Sequence, residues 1–189
     1  GADFIAMPGH KGPYGPQGTA VLLCREGGRP LLYGGTGSNS REQAMPDFLP
    51  DRMEAGTHNM PGIAGLLAGV RFVRRMGVEA IRRHSWQLKE QLRQGIASDQ
   101  RLQTFGTQDD SLQAGVLSLL PAGMDCETLC QSMAEAGFAL RGGFHCAPFA
   151  HQTAGTIQTG TVRFSVSAFN TSKEVDAFLH QISKQKIYK

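Results

Sequence analysis

Two short stretches of this sequence gather the side chains best equipped for covalent chemistry. In Pro8-Gly9-His10-Lys11-Gly12-Pro13-Tyr14-Gly15-Pro16, glycines and prolines fix a turn around one amine and one imidazole. A lysine held rigidly and partly desolvated has a depressed pKa, the state from which an amine forms a Schiff base with an aldehyde. The competing reading is an ordinary exposed turn lysine. In Arg141-Gly142-Gly143-Phe144-His145-Cys146-Ala147-Pro148, a thiol follows an arginine and a histidine, and an irregular stretch runs on to His151. Cationic neighbours favour the thiolate, so Cys146 is a candidate nucleophile on a loop; the alternative is an inert cysteine. Arg163 falls in an apolar run, where an unpaired guanidinium is costly, so a carboxylate partner is expected, either a substrate or an ordinary Asp or Glu. Gly34-Gly35-Thr36-Gly37 offers backbone N–H groups to a phosphate, but it matches no Walker pattern and is a weak signal alone.

Hydrophobic periodicity supplies the elements that must position these groups. The first 62 residues hold 12 of the 24 glycines and 7 of the 9 prolines, which excludes long helices there. Phe4 to Met7 and Thr19 to Cys24 read as buried strands, and the turn between them carries His10 and Lys11. From Gly62 the period becomes helical, with Ile63, Leu66, Leu67, Val70 and Val73 on one face and Gly77 as the stop. A second helix is predicted from about Val78 to Ala97, burying Ile81, Leu88, Leu92 and Ile96 while Arg82, Arg83, Lys89, Glu90 and Arg93 stay solvated. There follow a strand near Ala114 to Leu119, a helix from about Asp125 to Ala136, a strand near Val162 to Val166 and a last helix from Ser172. Asn170-Thr171-Ser172 followed by Glu174 reads as a helix cap with an acid in the first turn.

Length and composition narrow the classes. A chain of 189 residues makes one large domain or two small ones, and 40% hydrophobic with 19% charged residues is a globular balance without a transmembrane run. A formal charge of +3 is too small and dispersed to argue for nucleic acid or a membrane surface. The four cysteines, Cys24, Cys126, Cys130 and Cys146, lie far apart except for one i, i+4 pair, and the opening residues do not resemble a charged-then-apolar signal peptide, so a reducing, cytoplasmic setting is expected. Cys126 and Cys130 read as core-facing residues of a helix. A zinc site on Cys146, His145 and His151 is a remote reading, because the ligands crowd one loop; no metal is expected. The chain opens inside an apolar strand without a start methionine, and the expectation is a piece of something longer.

Three ordered motifs carry a resemblance. They are Gly9-His10-Lys11 with Gly15-Pro16-Gln17-Gly18; Glu54-Ala55-Gly56-Thr57 leading into Pro61-Gly62-Ile63; and Arg141-Gly142-Gly143-Phe144-His145-Cys146-Ala147 with Val162-Arg163-Phe164-Ser165 and Phe169-Asn170-Thr171. In this order and spacing the chain resembles the C-terminal half of a class V aminotransferase-fold enzyme, specifically a cysteine desulfurase or selenocysteine lyase of the pyridoxal-phosphate fold type I group. The implied fold class is α/β: residues 1–70 as the C-terminal part of the large cofactor-binding domain and 71–189 as the small α+β C-terminal domain.

The resemblance implies a role for each site residue. Lys11 carries pyridoxal 5'-phosphate as a Schiff base and relays protons, His10 lies beside the cofactor's phosphate, and Thr57 reaches the phosphate of a neighbouring subunit's cofactor across a homodimer. Arg163 clamps the substrate α-carboxylate and Arg141 helps to orient it. Cys146 takes the sulfur of L-cysteine as a persulfide, leaving L-alanine, and a sulfur-acceptor protein follows. The short spacing from Arg141 to Cys146 is similar to the subgroup that also accepts selenocysteine. Many relatives place a hydroxyl residue three before the lysine, where this chain has Pro8. The family's stacking histidine, its aspartate for the pyridine nitrogen and its first phosphate turn lie upstream of the lysine, so the chain as given is expected to be inactive. The rival readings are a class V aminotransferase in which Cys146 is incidental, and a non-catalytic folded or dimerising piece.

Overall fold

The switch to helical period near Gly62 appears as helix α1 (Met60–Met76). Its start is set by the Asn59 side chain, which accepts from the Gly62 N–H at 3.0 Å, and by Pro61 in the first turn. Its end is set by Gly77, whose φ of 85° is open to glycine and strained for other residues. Before it, β1 (Phe4–Pro8) and β2 (Ala20–Cys24) pair antiparallel, with Phe4 opposite Cys24 and Pro8 opposite Ala20. The protein, seen in a computed structural model, is described for residues 1–107, 109 and 111–187. It divides into two units, 1–77 and 78–189.

Unit 1 corrects the expectation of buried strands. Phe4, Ile5, Leu22 and Leu23 are about half exposed, and so are Ile63, Leu67 and Val70 on the apolar face of α1. A two-stranded ribbon and one helix have too few layers to cover both of their faces, so the period is right but the burial is incomplete. What α1 does bury is Gly62, Leu66 and Gly69.

Unit 2 is an antiparallel sheet in the order β3-β4-β5, with three helices packed on one face and a short fourth beside Phe105 and Ser118 on the other. Its elements are α2 (Val78–Gly95), β3 (Leu102–Phe105), β4 (Val116–Pro121), α3 (Cys126–Glu135), α4 (Pro148–Thr153), β5 (Val162–Ser165) and α5 (Ser172–Ser183). Register places Leu117 opposite Phe164 and Leu119 opposite Val162, so these four share a sheet face. They join Leu88 and Leu92 of α2, Leu129 and Met133 of α3, and Phe178 and Ile182 of α5 in one core. Phe178 lies 5.0 Å from the Phe164 ring and 5.5 Å, edge-on, from Phe138. Asp125 caps α3 by accepting from the Thr128 N–H at 2.9 Å, and Thr171 with Glu174 forms a reciprocal capping box on α5. The first and last helices of the unit are tied together: the Gln91 amide donates to the Ser172 carbonyl at 3.2 Å and to Asp176 at 2.6 Å.

Three local differences from the sequence reading stand out. Strand β3 and helix α4, four and six residues long, were not anticipated, since both are shorter than the window in which a period declares itself. Lys89, expected in solvent, is fully buried: its Nζ sits 3.3 Å above the Trp86 ring centroid and 3.4 Å from a Glu90 carboxylate oxygen. The long stem lies under the protein surface, while the indole face and the carboxylate replace water at the ammonium. Ile81, expected in the core, is only half-buried.

Candidate active site

In unit 1 the lysine turn is built by close backbone approaches. Gly9 donates to the Thr19 carbonyl at 2.8 Å and Gly15 to the Gly9 carbonyl at 2.7 Å, while Tyr14 donates to the Lys11 carbonyl at 3.0 Å. A Cβ on Gly69 would lie 2.3 Å from the Pro13 carbonyl oxygen, so the turn rests directly on the backbone of α1. Tyr14 has a left-handed φ of 56° and stands edge-on to Phe72 of α1 at 5.6 Å. The turn is therefore rigid, as expected. The desolvation anticipated for Lys11 is not present: both Lys11 and His10 are exposed. An accessible primary amine on a turn that cannot drift fits an aldehyde cofactor.

Thr57 is also exposed, in the segment leading into α1. Its neighbour Gly56 donates to the Gly35 carbonyl at 3.0 Å, and a Cβ on Gly35 would come within 2.6 Å of Gly56, so the glycine-rich run 34–37 buttresses the Thr57 segment. Glu54 and His58 flank it, 3.6 Å apart.

In unit 2 the arginines and the cysteine loop share the outer edge of β5. Arg163 N–H donates to the Arg141 carbonyl at 2.8 Å, and Gly143 and Thr161 exchange two backbone bonds at 3.1 Å. Arg141 and Arg163 are partners in an antiparallel bridge, so their side chains leave the same face. Like charges directly opposite are unfavourable without an anion between them. The carboxylate expected for Arg163 is not supplied from within: no Asp or Glu among the described residues forms an ion pair with it, and its Nε is buried without a hydrogen-bond partner.

Beyond Gly143 the chain turns through two consecutive left-handed residues, His145 (φ 53°) and Cys146 (φ 61°). Each costs of order 1–2 kcal/mol for an L-residue. The turn throws the Cys146 thiol outward, exposed and free of any disulfide, and α4 begins immediately after it. His145 Nε2 lies 3.0 Å from the Thr161 carbonyl and 3.3 Å from its hydroxyl. Burial pushes its pKa down, and the charges of Arg163, His151 and Arg141 add to the effect. The histidine expected to act as a cationic neighbour of Cys146 is thus held toward neutrality, which leaves the arginines as the cations of this edge.

His151, read from sequence as the end of an irregular stretch and as a remote zinc-ligand candidate, is buried in α4. Its Nδ1 is 2.8 Å from the Thr156 hydroxyl, and its ring meets Phe144 edge-on at 5.4 Å and lies 5.9 Å from His145. The sequence signal for it was the helix-starting Pro148 three residues earlier, which places His151 on the first turn. Cys126 is buried and Cys130 half-buried, as expected; burial pushes the Cys126 thiol up to about 11 and raises that of Cys130. Both shifts disfavour the thiolate, so neither site is set up for nucleophilic chemistry as Cys146 is. Among the described residues no group of three or more His, Cys, Asp or Glu side chains could hold a metal ion.

Comparison with known proteins identifies the class. The Aminotransferase class-V family model matches residues 1–178, and the chain belongs to that family. Among curated proteins it is 36% identical over 184 residues to a probable cysteine desulfurase of Methanothermobacter thermautotrophicus, covering 93% of this chain and 45% of the relative. A probable cysteine desulfurase of Xylella fastidiosa is 33% identical over 190 residues, covering 97% of this chain and 44% of the relative. Among solved structures, the apo cysteine desulfurase of Thermococcus onnurineus matches with a TM-score of 0.84 at 33% identity, over 97% of this chain and 46% of that one. The S-sulfonic acid form of the Escherichia coli cysteine desulfurase CsdA also matches with a TM-score of 0.84, at 30% identity, over 96% of this chain and 45% of that one. The chain spans about half the length of the relatives it matches. No described helix is long and apolar enough to cross a membrane.

Proposed function

We propose that this chain forms the C-terminal part of a pyridoxal-phosphate-dependent cysteine desulfurase, with 1–70 ending the cofactor domain and 71–189 forming the small domain. The observation that carries this reading is the edge of β5: two arginines on one face without an internal carboxylate, beside an exposed cysteine on a strained loop. Arg163 and Arg141 bind and orient the α-carboxylate of L-cysteine. Lys11 would hold the cofactor through its amine, with His10 beside the phosphate, and its freed amine is the group to move a proton at the substrate Cα. When bound, pyridoxal phosphate would supply the electron sink that accommodates the pair left on the substrate Cβ as the Cβ–S bond breaks. The Cys146 thiolate attacks the substrate sulfur; an S–S bond forms, the C–S bond breaks with its electron pair on carbon, and protonation of that carbon gives alanine. The persulfide on Cys146 is then passed to a thiol of an acceptor protein.

The enzyme works as a homodimer in which Thr57 reaches the partner's cofactor phosphate. The half-exposed apolar residues of unit 1 support further burial against protein. A reducing cytoplasm suits the four free cysteines and a thiol nucleophile. The test is mass spectrometry of the Cys146 peptide after incubation of the cofactor-loaded protein with L-cysteine. One added sulfur, absent in C146A, is expected. An unmodified Cys146, with amino transfer to a keto acid, would replace this reading by an aminotransferase.

A further inference from the structure

Among the described residues, two buried side-chain atoms have no hydrogen-bond partner: His145 Nδ1 and Arg163 Nε. They are complementary in kind. The Thr161 carbonyl, 3.0 Å from His145 Nε2, can only accept, so Nε2 carries the ring hydrogen and Nδ1 of the neutral ring presents a lone pair. Arg163 Nε always carries a hydrogen. The two groups also belong to adjoining segments. Thr161 and Arg163 alternate along one chain and point to the same side, and the Thr161 hydroxyl already touches the His145 ring at 3.3 Å. The Arg163 charge acts on that ring.

The geometry points to His145 as the positioning residue for Arg163: in the loaded site its Nδ1 accepts the Arg163 Nε–H, turning both Nη groups outward as a fork for a carboxylate. The inference rests on the reading of Arg163 as the substrate clamp, and deepens it. A guanidinium is planar with its donors in a fixed fork, so anchoring one edge orients the other. An anchored fork also loses less rotamer freedom when the carboxylate arrives. The acceptor role requires a neutral imidazole. The groups facing it are the Thr161 carbonyl beside β5, His151 of α4 at 5.9 Å between ring centroids, and Arg141 with Arg163 on the bridged edge. Burial first, and then the charges of Arg163, His151 and Arg141, favour the neutral ring against the Thr161 carbonyl, which favours the charged one; acid converts Nδ1 into a second donor that repels Arg163.

The experiment uses the full-length, cofactor-loaded protein and three variants. H145F removes the acceptor, H145Q restores an acceptor oxygen, and R163A reports whether Arg163 binds substrate. The expected result is a KM for L-cysteine about tenfold higher in H145F, with a smaller change in kcat and most of the loss recovered in H145Q. A raised KM in R163A with wild-type kinetics in H145F would overturn the positioning role and leave the clamp standing. An unchanged KM in R163A would remove the basis of both. Nitrogen-15 NMR of the wild-type protein decides the matter if H145F does not fold. A slowly exchanging Arg163 Nε–H that disappears as His145 protonates supports the contact, and a rapidly exchanging one at every pH overturns it.

Discussion

The two units hold their reactive side chains by different means. Unit 1 fixes the Lys11 turn through backbone against backbone, at Gly9, Gly15 and Gly69, while its large apolar side chains stay half exposed. Unit 2 carries the Cys146 loop on the edge of a sheet whose far face is closed by three helices, with Leu119, Leu129 and Phe178 fully buried. Local precision and a finished hydrophobic core are therefore separable. The first needs glycines at points of contact, the second needs enough layers to cover a sheet.

The sharpest way to break this contrast is in the core of unit 2. Phe178→Ala removes a buried ring that packs on Phe164 and Phe138, and is expected to cost about 3–5 kcal/mol, read from the urea midpoint. The matching test in unit 1 is Gly69→Ala, which forces a methyl group against the Pro13 carbonyl. About 2 kcal/mol of local destabilisation is expected, seen as faster amide exchange over residues 10–14.

Acid tests a polar prop of unit 2. Hydrogen bonds from Arg93 hold the Glu90 carboxyl at about 2, below its ordinary 4.5. Because the folded pKa is the depressed one, this stability is present above about pH 4.5 and is lost as pH falls through about 2. Glu90→Gln is expected to flatten that part of the stability curve and to cost about 1–2 kcal/mol at neutral pH, since Lys89 loses its only acidic neighbour within ion-pair reach among the described residues. Thr171→Ala breaks the capping box of α5 and is expected to lower stability by about 1 kcal/mol, measured by thermal melting. The smallest effect belongs to the open face of unit 1. Leu67→Ser, at a side chain 47% exposed, is expected to change the stability of this chain by less than about 0.5 kcal/mol; a large loss would mean the face is covered.

Long periodic elements were legible because their signals repeat. Helices α1, α2, α3 and α5 each span several turns, and the cap of α5 at Thr171 with Glu174 was readable in sequence, whereas the capping roles of Asn59 and Asp125 on α1 and α3 emerge only in the fold. Strand β3 and helix α4 offer one period or less and depend on neighbours that only the fold supplies. Burial was harder than secondary structure. Ile63 and Leu67 have the right spacing yet no cover, and Lys89 has the wrong chemistry for a core yet finds the Trp86 face. At the candidate site, the residue types of Lys11, Cys146, Arg141 and Arg163 were readable from motif and cost arguments. The lowered pKa of His145 was not, since it follows from burial in the folded loop and from the charges of Arg163, His151 and Arg141, which together outweigh the Thr161 carbonyl sixteen residues away.

The tie between α2 and α5 sets a timetable for synthesis. Leu88 and Leu92 are made early in unit 2, but Phe178 and Ile182, which complete their core, leave the ribosome some ninety residues later. Until then the apolar stripe of α2 lacks the cover that α5 supplies, and transiently exposed apolar surface of this kind is prone to aggregation. Emergence of α5, with Ser172 and Asp176 arriving at Gln91, is thus the step that lets the nascent unit close over that stripe.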